Sequence, residues 1–144
     1  MNTLEMDSDV QAIQPVFPKG FHSKKVNALS VAKCKTIFAT CGEDNFVRIW
    51  NYGASSSRAI IQTYFSEEPI GLSIHPSGLQ LIVAFVNSFK IFAILADNIS
   101  FVKEINLTSC KVVRYSHGGQ YLLANEKWNI YVYETINYEP IYML

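Results

Sequence analysis

The stretch Thr36-Ile-Phe-Ala-Thr-Cys-Gly-Glu-Asp-Asn-Phe-Val-Arg-Ile-Trp-Asn51 decides how this 144-residue chain folds. It predicts two short strands, Thr36–Cys41 and Phe46–Trp50, because β-branched and aromatic residues fill both runs. A polar turn joins them, and the carboxylate of Asp44 can accept hydrogen bonds from backbone N–H groups inside such a turn. The stretch is therefore predicted to form a β-hairpin.

The hairpin belongs to a repeat with a period of about 40 residues. Apolar segments of similar sequence end at Trp50, Phe92 and Tyr133, which are 42 and 41 residues apart. A second set of markers, spaced by 43 and 41 residues, ends a shorter apolar run in each unit: Val31, Ile74 and Tyr115. Two independent markers therefore agree on one period, and it is typical of a β-propeller blade with about four strands.

Each of the three units is predicted to contain four strands. The predicted strands are Val26–Val31, Thr36–Cys41, Phe46–Trp50, Ile60–Phe65, Ile70–His75, Gln80–Phe85, Phe89–Ile94, Ile99–Ile105, Cys110–Tyr115, Gln120–Asn125, Trp128–Tyr133 and Tyr138–Met143. We therefore predict an all-β fold, a partial propeller over 22–144 with blades at about 22–65, 66–105 and 106–144. Residues 1–21 are expected to form an acidic, extended segment. A β-sandwich is the structural alternative, because regularly spaced short strands suit it too.

Composition and charge restrict the classes of function. Hydrophobic residues make up 49% of the chain and charged residues 17%, which predicts a packed core. Twelve Lys and Arg residues balance twelve Asp and Glu residues, whereas a nucleic-acid protein normally carries a clear positive excess. The acidic start of the chain lacks the apolar stretch of a signal peptide, and no run of about 18 apolar residues occurs. We therefore expect neither nucleic acid nor a membrane as partner.

The residue types that carry catalysis or bind metals are scattered along the chain. Cys34, Cys41 and Cys110 form no CxxC pair, which is typical of reduced thiols in the cytoplasm. His75 and His117 lie in predicted turns without a His or Cys at a metal-binding spacing. Neither a phosphate-binding glycine loop nor an activated-nucleophile motif around Cys110 is present. We therefore expect no catalytic residue, no metal and no cofactor.

The hairpin that ends in Trp50 resembles the second half of a WD repeat, the unit of a WD40-type propeller. The resemblance implies that His22, Thr40, Asp44 and Trp50 are linked by hydrogen bonds, with His22 meeting Asp44 and Thr40 joining His22 to the indole. An indole N–H that is buried without a partner costs about 1–3 kcal/mol, so this set is expected to be structural.

The second and third blades carry a different aromatic residue where the first has tryptophan. Phe92 and Tyr133 stand at these positions, and they are expected to be blade-core residues whose blades depend more on packing. Contacts with partners are expected in the loops at the blade ends. The candidate contact residues are Phe21, Tyr52, Arg58 and Trp128, each of which could instead serve packing.

Lysines form the one dense cluster of charge near the start of the repeat: Lys19, Lys24, Lys25, Lys33 and Lys35. The simpler expectation is a solvated face, and the alternative is a contact for an acidic partner surface. The positions weaken the alternative, because 24–25 and 33–35 flank one predicted strand and so lie at opposite ends of a blade.

The order of several segments resembles a family of ciliary WD-repeat proteins. The segments are Val16–His22, Ile37–Cys41, Val47–Tyr52, Ser73–Gly78, Phe101–Glu104 and Ser116–Gly119. Together they resemble the N-terminal propeller portion of the cilia- and flagella-associated protein 57 family, over roughly Val16 to Tyr138. The resemblance implies a non-catalytic scaffold of the axoneme, in the cytoplasm and cytoskeleton of a cilium or flagellum. Its implied partners are axonemal proteins such as inner dynein arms or doublet-associated proteins, which serve ciliary motility.

The alternative function is a cytoplasmic WD-repeat adaptor, such as a ubiquitin-ligase substrate receptor or a vesicle-coat scaffold. In either case the chain differs from the family, whose members carry two complete propellers and a long coiled coil. Propellers close with about four to eight blades, so three blades predict two open apolar flanks. The chain is therefore expected to be a piece of a longer protein, a truncated paralogue, or a part that another chain completes.

Overall fold

The computed structural model describes residues 20–55 and 59–144. Its strands are β1 (Val26–Val31), β2 (Ile37–Gly42), β3 (Phe46–Asn51), β4 (Ala59–Tyr64), β5 (Gly71–Ile74), β6 (Gln80–Ala84), β7 (Ser88–Ile94), β8 (Ile99–Asn106), β9 (Val113–Tyr115), β10 (Tyr121–Glu126), β11 (Asn129–Glu134) and β12 (Pro140–Met143). They form three antiparallel four-stranded sheets in chain order: blade 1 (β1–β4), blade 2 (β5–β8) and blade 3 (β9–β12). The predicted all-β fold with three four-stranded blades is confirmed. Most of the predicted N-terminal segment, and the candidate contact Arg58, lie outside the described residues.

The largest difference from the predicted strands lies in the first strand of blade 3. The sequence predicts a strand over Cys110–Tyr115, whereas β9 covers only Val113–Tyr115. The backbone N–H groups of Lys111 and Val112 donate instead to Oδ1 of Asn125, over 3.0 and 2.7 Å. Because a side-chain amide oxygen accepts these bonds in place of backbone carbonyl oxygens of β10, the strand begins later.

The blades pack face to face around a common inner edge. The first strands of consecutive blades are neighbours, with β1 beside β5 and β5 beside β9. The core between blades 1 and 2 includes Ala39, Ile49, Leu72 and Leu81. The core between blades 2 and 3 includes Ile82, Phe89, Val113 and Leu122. Because successive side chains of a strand point to opposite faces, blade 2 contributes one face to each core.

Trp50, Phe92 and Tyr133 occupy matching positions in the third strands of their blades. In every blade the pairing between the third and fourth strands shifts register immediately before this residue. Phe92 packs in the core between blades 1 and 2, and Tyr133 in the core between blades 2 and 3. Each of these two rings therefore faces the preceding blade, and the sequence period corresponds to one repeated structural position.

A serine hydroxyl on the first strand joins each blade to the next. Oγ of Ser30 in β1 accepts a hydrogen bond of 3.0 Å from the backbone N–H of Ile74 in β5. Oγ of Ser73 in β5 accepts an equivalent bond of 3.0 Å from the N–H of Tyr115 in β9. Polar contacts therefore repeat with the same period as the apolar cores.

The outer flanks of blades 1 and 3 expose apolar side chains. On blade 3, Leu123 pairs with Val132 on the face turned away from blade 2, because the alternate residue Leu122 lies in the core. On blade 1, Leu29 and Val31 are 53% and 54% exposed. Within the described residues, both flanks thus present sheet faces of the kind that blades 1 and 2 bury against each other.

Candidate functional site

The connections between strands lie at two opposite ends of the blades. Because consecutive strands are antiparallel, the segment before β1 and the β2–β3 turn share one end, and the β1–β2 loop lies at the other. We name them the Asp44 end and the Lys33 end. Lys24 and Lys25 lie at the Asp44 end, whereas Lys33 and Lys35 lie at the Lys33 end.

His22, Thr40, Asp44 and Trp50 are joined by a chain of hydrogen bonds on blade 1. The indole Nε1–H of Trp50 donates to Oγ1 of Thr40 over 2.9 Å, and this oxygen lies 2.8 Å from Nε2 of His22. Nδ1 of His22 lies 2.8 Å from Oδ1 of Asp44. Because an ionised carboxylate only accepts, Nδ1 of His22 carries the proton and the Thr40 hydroxyl donates to Nε2. Every member of the set therefore has a partner.

Arg48 is a fifth member of this polar set. It lies directly opposite Thr40 in the β2–β3 ladder, and its side chain is only 6% exposed. Its Nη1 donates to Oδ2 of Asp44 over 2.9 Å and also lies 2.8 Å from Nδ1 of His22. Sequence reasoning missed Arg48, although the register of the predicted hairpin places it on the same face as Thr40.

The carboxylate of Asp44 is the acceptor on which the set converges. Burial raises its pKa, but hydrogen bonds from His22, from Arg48 and from the backbone N–H groups of Ser23 and Phe46 outweigh that effect. The pKa is thereby lowered from 3.8 to about 2. In the part of the chain that the structure describes, no buried side-chain nitrogen or oxygen lacks a hydrogen-bond partner.

Gly42 leaves the space in which His22 reaches Asp44. A Cβ at Gly42 would lie 2.7 Å from the carbonyl oxygen of Lys25 and 2.9 Å from Nδ1 of His22. Real Cβ atoms do not approach other atoms so closely, so a side chain there would force the backbone at Lys25 or the imidazole of His22 to move. The predicted turn, which Gly42 begins, thus needs a glycine at this position.

The candidate contact residues do not form one surface. Phe21 precedes β1 and Trp128 lies in the β10–β11 turn, both at the Asp44 end, whereas Tyr52 follows β3 at the Lys33 end. The ring of Phe21 packs against Trp50 with centroids 4.9 Å apart. Trp128 is 94% exposed and Tyr52 is 58% exposed, so these two side chains are accessible to a partner.

Cys41, Cys110 and His117 lie in different surroundings. Cys110 is buried between blades 2 and 3, and burial raises the pKa of its thiol to about 12. Burial likewise raises the pKa of the Cys41 thiol to about 12. His117 is exposed, and its Nε2 lies 2.6 Å from Nζ of Lys33.

Among residues 20–55 and 59–144, no three or more His, Cys, Asp or Glu side chains are arranged to hold a metal ion. No helix in the same ranges has the length and apolar character needed to cross a membrane.

Three curated relatives are similar to this chain over most of its length. Cilia- and flagella-associated protein 57 of Mus musculus is 32% identical over 123 residues, which is 85% of the chain. Cilia- and flagella-associated protein 57 A of Tetrahymena thermophila is 29% identical over 133 residues, or 92% of the chain. Protein 57 C of the same organism is 32% identical over 110 residues, or 72%. The chain spans only 10%, 10% and 8% of these relatives' own lengths.

The architecture is also similar to a solved propeller. The β-propeller domain of Cps50 (Swd1) from Myceliophteria thermophila matches with a TM-score of 0.72, over 86% of this chain and 43% of that one, at 19% sequence identity. This likeness concerns the fold alone, and it confirms the predicted partial propeller of WD40 type. No family model matches the chain. On the strength of its three relatives, the chain belongs to the cilia- and flagella-associated protein 57 family.

Proposed function

We propose that this chain is part of a non-catalytic scaffold of the ciliary or flagellar axoneme, where it supports the attachment of inner dynein arms and thereby motility. The observation that carries the proposal is the similarity of 72–92% of the chain to proteins named for their association with cilia and flagella. The partners are axonemal proteins, and the propeller acts by holding its loops at fixed positions.

The blades suit this role because they hold the loops rigidly. The polar set around Asp44 ties the segment before β1 to the β2–β3 turn, and the Ser30 and Ser73 hydroxyls tie neighbouring blades together. Trp128 stands 94% exposed at the tip of a hairpin, and tryptophan is enriched among residues that dominate binding energy. We therefore place one protein contact at the Asp44 end of blade 3.

The described side chains support binding rather than catalysis. The groups of the buried polar cluster around Asp44 satisfy one another. The buried thiols have pKa values raised to about 12, which opposes nucleophilic chemistry at neutral pH. A cofactor has no place in the proposal.

Fractionation of cilia tests the axonemal assignment. The protein is expected to stay with salt-washed axonemes, and its loss is expected to reduce the inner arms seen by electron microscopy while outer arms remain. Recovery in the cytosol with ubiquitin-ligase or vesicle-coat subunits would instead favour the adaptor function. Retention on axonemes with a normal set of inner arms would contradict the dynein role alone.

We further propose that additional blades cover the two exposed flanks. The chain matches only 43% of the solved propeller domain, and exposed sheet faces of this kind are normally buried in closed rings. In the intact protein, Leu123→Glu is then expected to lower stability, because it buries a charge between blades. An unchanged stability would mean that this flank faces solvent, and density of the native assembly would identify which chain supplies the blades.

A further inference from the structure

A groove at the Lys33 end lies apart from the hydrogen-bonded set on blade 1. It has a volume of about 200 Å³ and is formed where the ends of β1, β5 and β9 meet. Its lining includes Val31, Lys33, Ile74, Arg114, Ser116 and His117. All three blades therefore contribute to it.

The groove is basic. Nζ of Lys33 on blade 1 lies 2.6 Å from Nε2 of His117 on blade 3, although the two residues are 84 positions apart in the chain. Arg114 is anchored at the same groove, because its Nη1 donates to the carbonyl oxygen of Leu72 over 3.1 Å. The described residues that line the groove include no Asp or Glu. Within the described ranges neither Lys33 nor Arg114 pairs with a carboxylate, whereas Arg48 does.

Two serine hydroxyls add donors to the same groove. The oxygens of Ser30 and Ser73 accept bonds from the N–H groups of Ile74 and Tyr115, respectively. Each hydroxyl also carries its own O–H, which can donate a hydrogen bond. Cationic groups and hydroxyl donors thus line the same groove, and no carboxylate is among the described residues that line it.

We propose that this groove binds an acidic peptide segment of a partner protein, with its Asp or Glu carboxylates on Lys33 and Arg114. Charge-assisted hydrogen bonds from guanidinium and ammonium groups suit carboxylates, and the guanidinium can bind one through two parallel bonds. Val31, which is 54% exposed, offers apolar contact that a peptide uses and a free inorganic anion does not. The zero net charge of the chain disfavours a nucleic acid, which needs an extended positive face.

The inference goes beyond the proposed scaffold role and does not depend on its location in the cell. The test is fluorescence anisotropy of the intact protein with a short labelled peptide of glutamate and leucine residues. The double variant Lys33→Gln/Arg114→Gln is expected to weaken binding about tenfold, since each exposed pair contributes a few-fold in affinity. The control Lys24→Gln/Lys25→Gln removes the same charge at the Asp44 end and is expected to bind as the wild type does.

Several outcomes would overturn the proposal. An equal loss of affinity in both double variants would mean that the peptide is attracted by overall charge. Equal binding of a peptide with glutamine in place of glutamate, or full competition by equimolar inorganic phosphate, would exclude recognition of an acidic peptide. Tighter binding of a single-stranded oligonucleotide would assign the groove to nucleic acid. The variant Lys33→Arg keeps the charge and should bind like the wild type, and any failure here leaves the axonemal assignment untouched.

Discussion

The backbone N–H of Tyr115 donates a hydrogen bond of 3.0 Å to Oγ of Ser73, which lies 42 residues earlier on the neighbouring blade. Ser30 and Ile74 repeat this bond between blades 1 and 2, over a separation of 44 residues. The same polar contact therefore joins both pairs of blades next to the apolar cores, and it sets how one blade lies against the next.

Removal of the Ser73 hydroxyl should weaken the contact between blades 2 and 3. Ser73 is 3% exposed, so Ser73→Ala leaves the N–H of Tyr115 without its acceptor in a buried place. The free energy of unfolding, measured by chemical denaturation, is expected to fall by about 1–3 kcal/mol. Ser100→Ala in exposed β8 is the control and should change it by less than about 0.5 kcal/mol. Equal effects of the two variants would mean that the hydrogen bond from Tyr115 to Ser73 does not stabilise the contact between blades 2 and 3.

Truncation to alanine should lower the stability of the protein at one tryptophan and leave it almost unchanged at the other. Trp50 is 7% exposed and donates to Thr40, so Trp50→Ala is expected to lower the free energy of unfolding by about 3–5 kcal/mol. Trp128 is 94% exposed, and Trp128→Ala should change the free energy of unfolding by less than about 0.5 kcal/mol. Thermal and denaturant melts measure both changes. A loss below about 1 kcal/mol for Trp50→Ala would argue against its place in the blade.

Asp44 should make stability depend on acid pH. Its pKa is 3.8 in the unfolded reference and about 2 in the folded chain, so its contribution is fully present above pH 3.8 and is lost as the pH falls through about 2. The contribution amounts to about 2 kcal/mol. Asp44→Asn is expected to lower the free energy of unfolding at neutral pH and to weaken its dependence on pH below about 3.8. If the free energy of unfolding falls as steeply in this pH range for Asp44→Asn as for the wild type, the pH dependence arises from other carboxylates.

The three thiols should differ in reactivity towards an aromatic disulfide reagent at neutral pH. Cys34 is exposed, whereas Cys41 and Cys110 are buried with pKa values raised to about 12. Because the thiolate is the reacting species, one thiol should react quickly and two only on unfolding. The Cys34→Ser variant should lose the fast phase, and a fast phase that persists in it would mean that a buried thiol is accessible.

Local patterns were enough to predict most of the fold. Twelve strands were expected and twelve are present in the described residues, because alternation and turn residues act over a few positions. The late start of β9 was not predicted, since it depends on the side chain of Asn125 from the next strand. Arg48 was missed for a similar reason: its acceptor Asp44 meets it, beside His22, only when the hairpin closes and the preceding segment folds over it.

The sequence by itself determined the period, the blade count and the family, because these follow from the types of residues and from their order along the chain. It also separated Lys24 and Lys25 from Lys33 and Lys35 by placing a strand between them. Only the tertiary structure decided that Lys33 shares a groove with Arg114 and His117. The physical reason is that Lys33 and His117, 84 positions apart, meet only because the blades pack on one another. The apolar cores and the serine hydrogen bonds determine this packing, and no local sequence pattern encodes it.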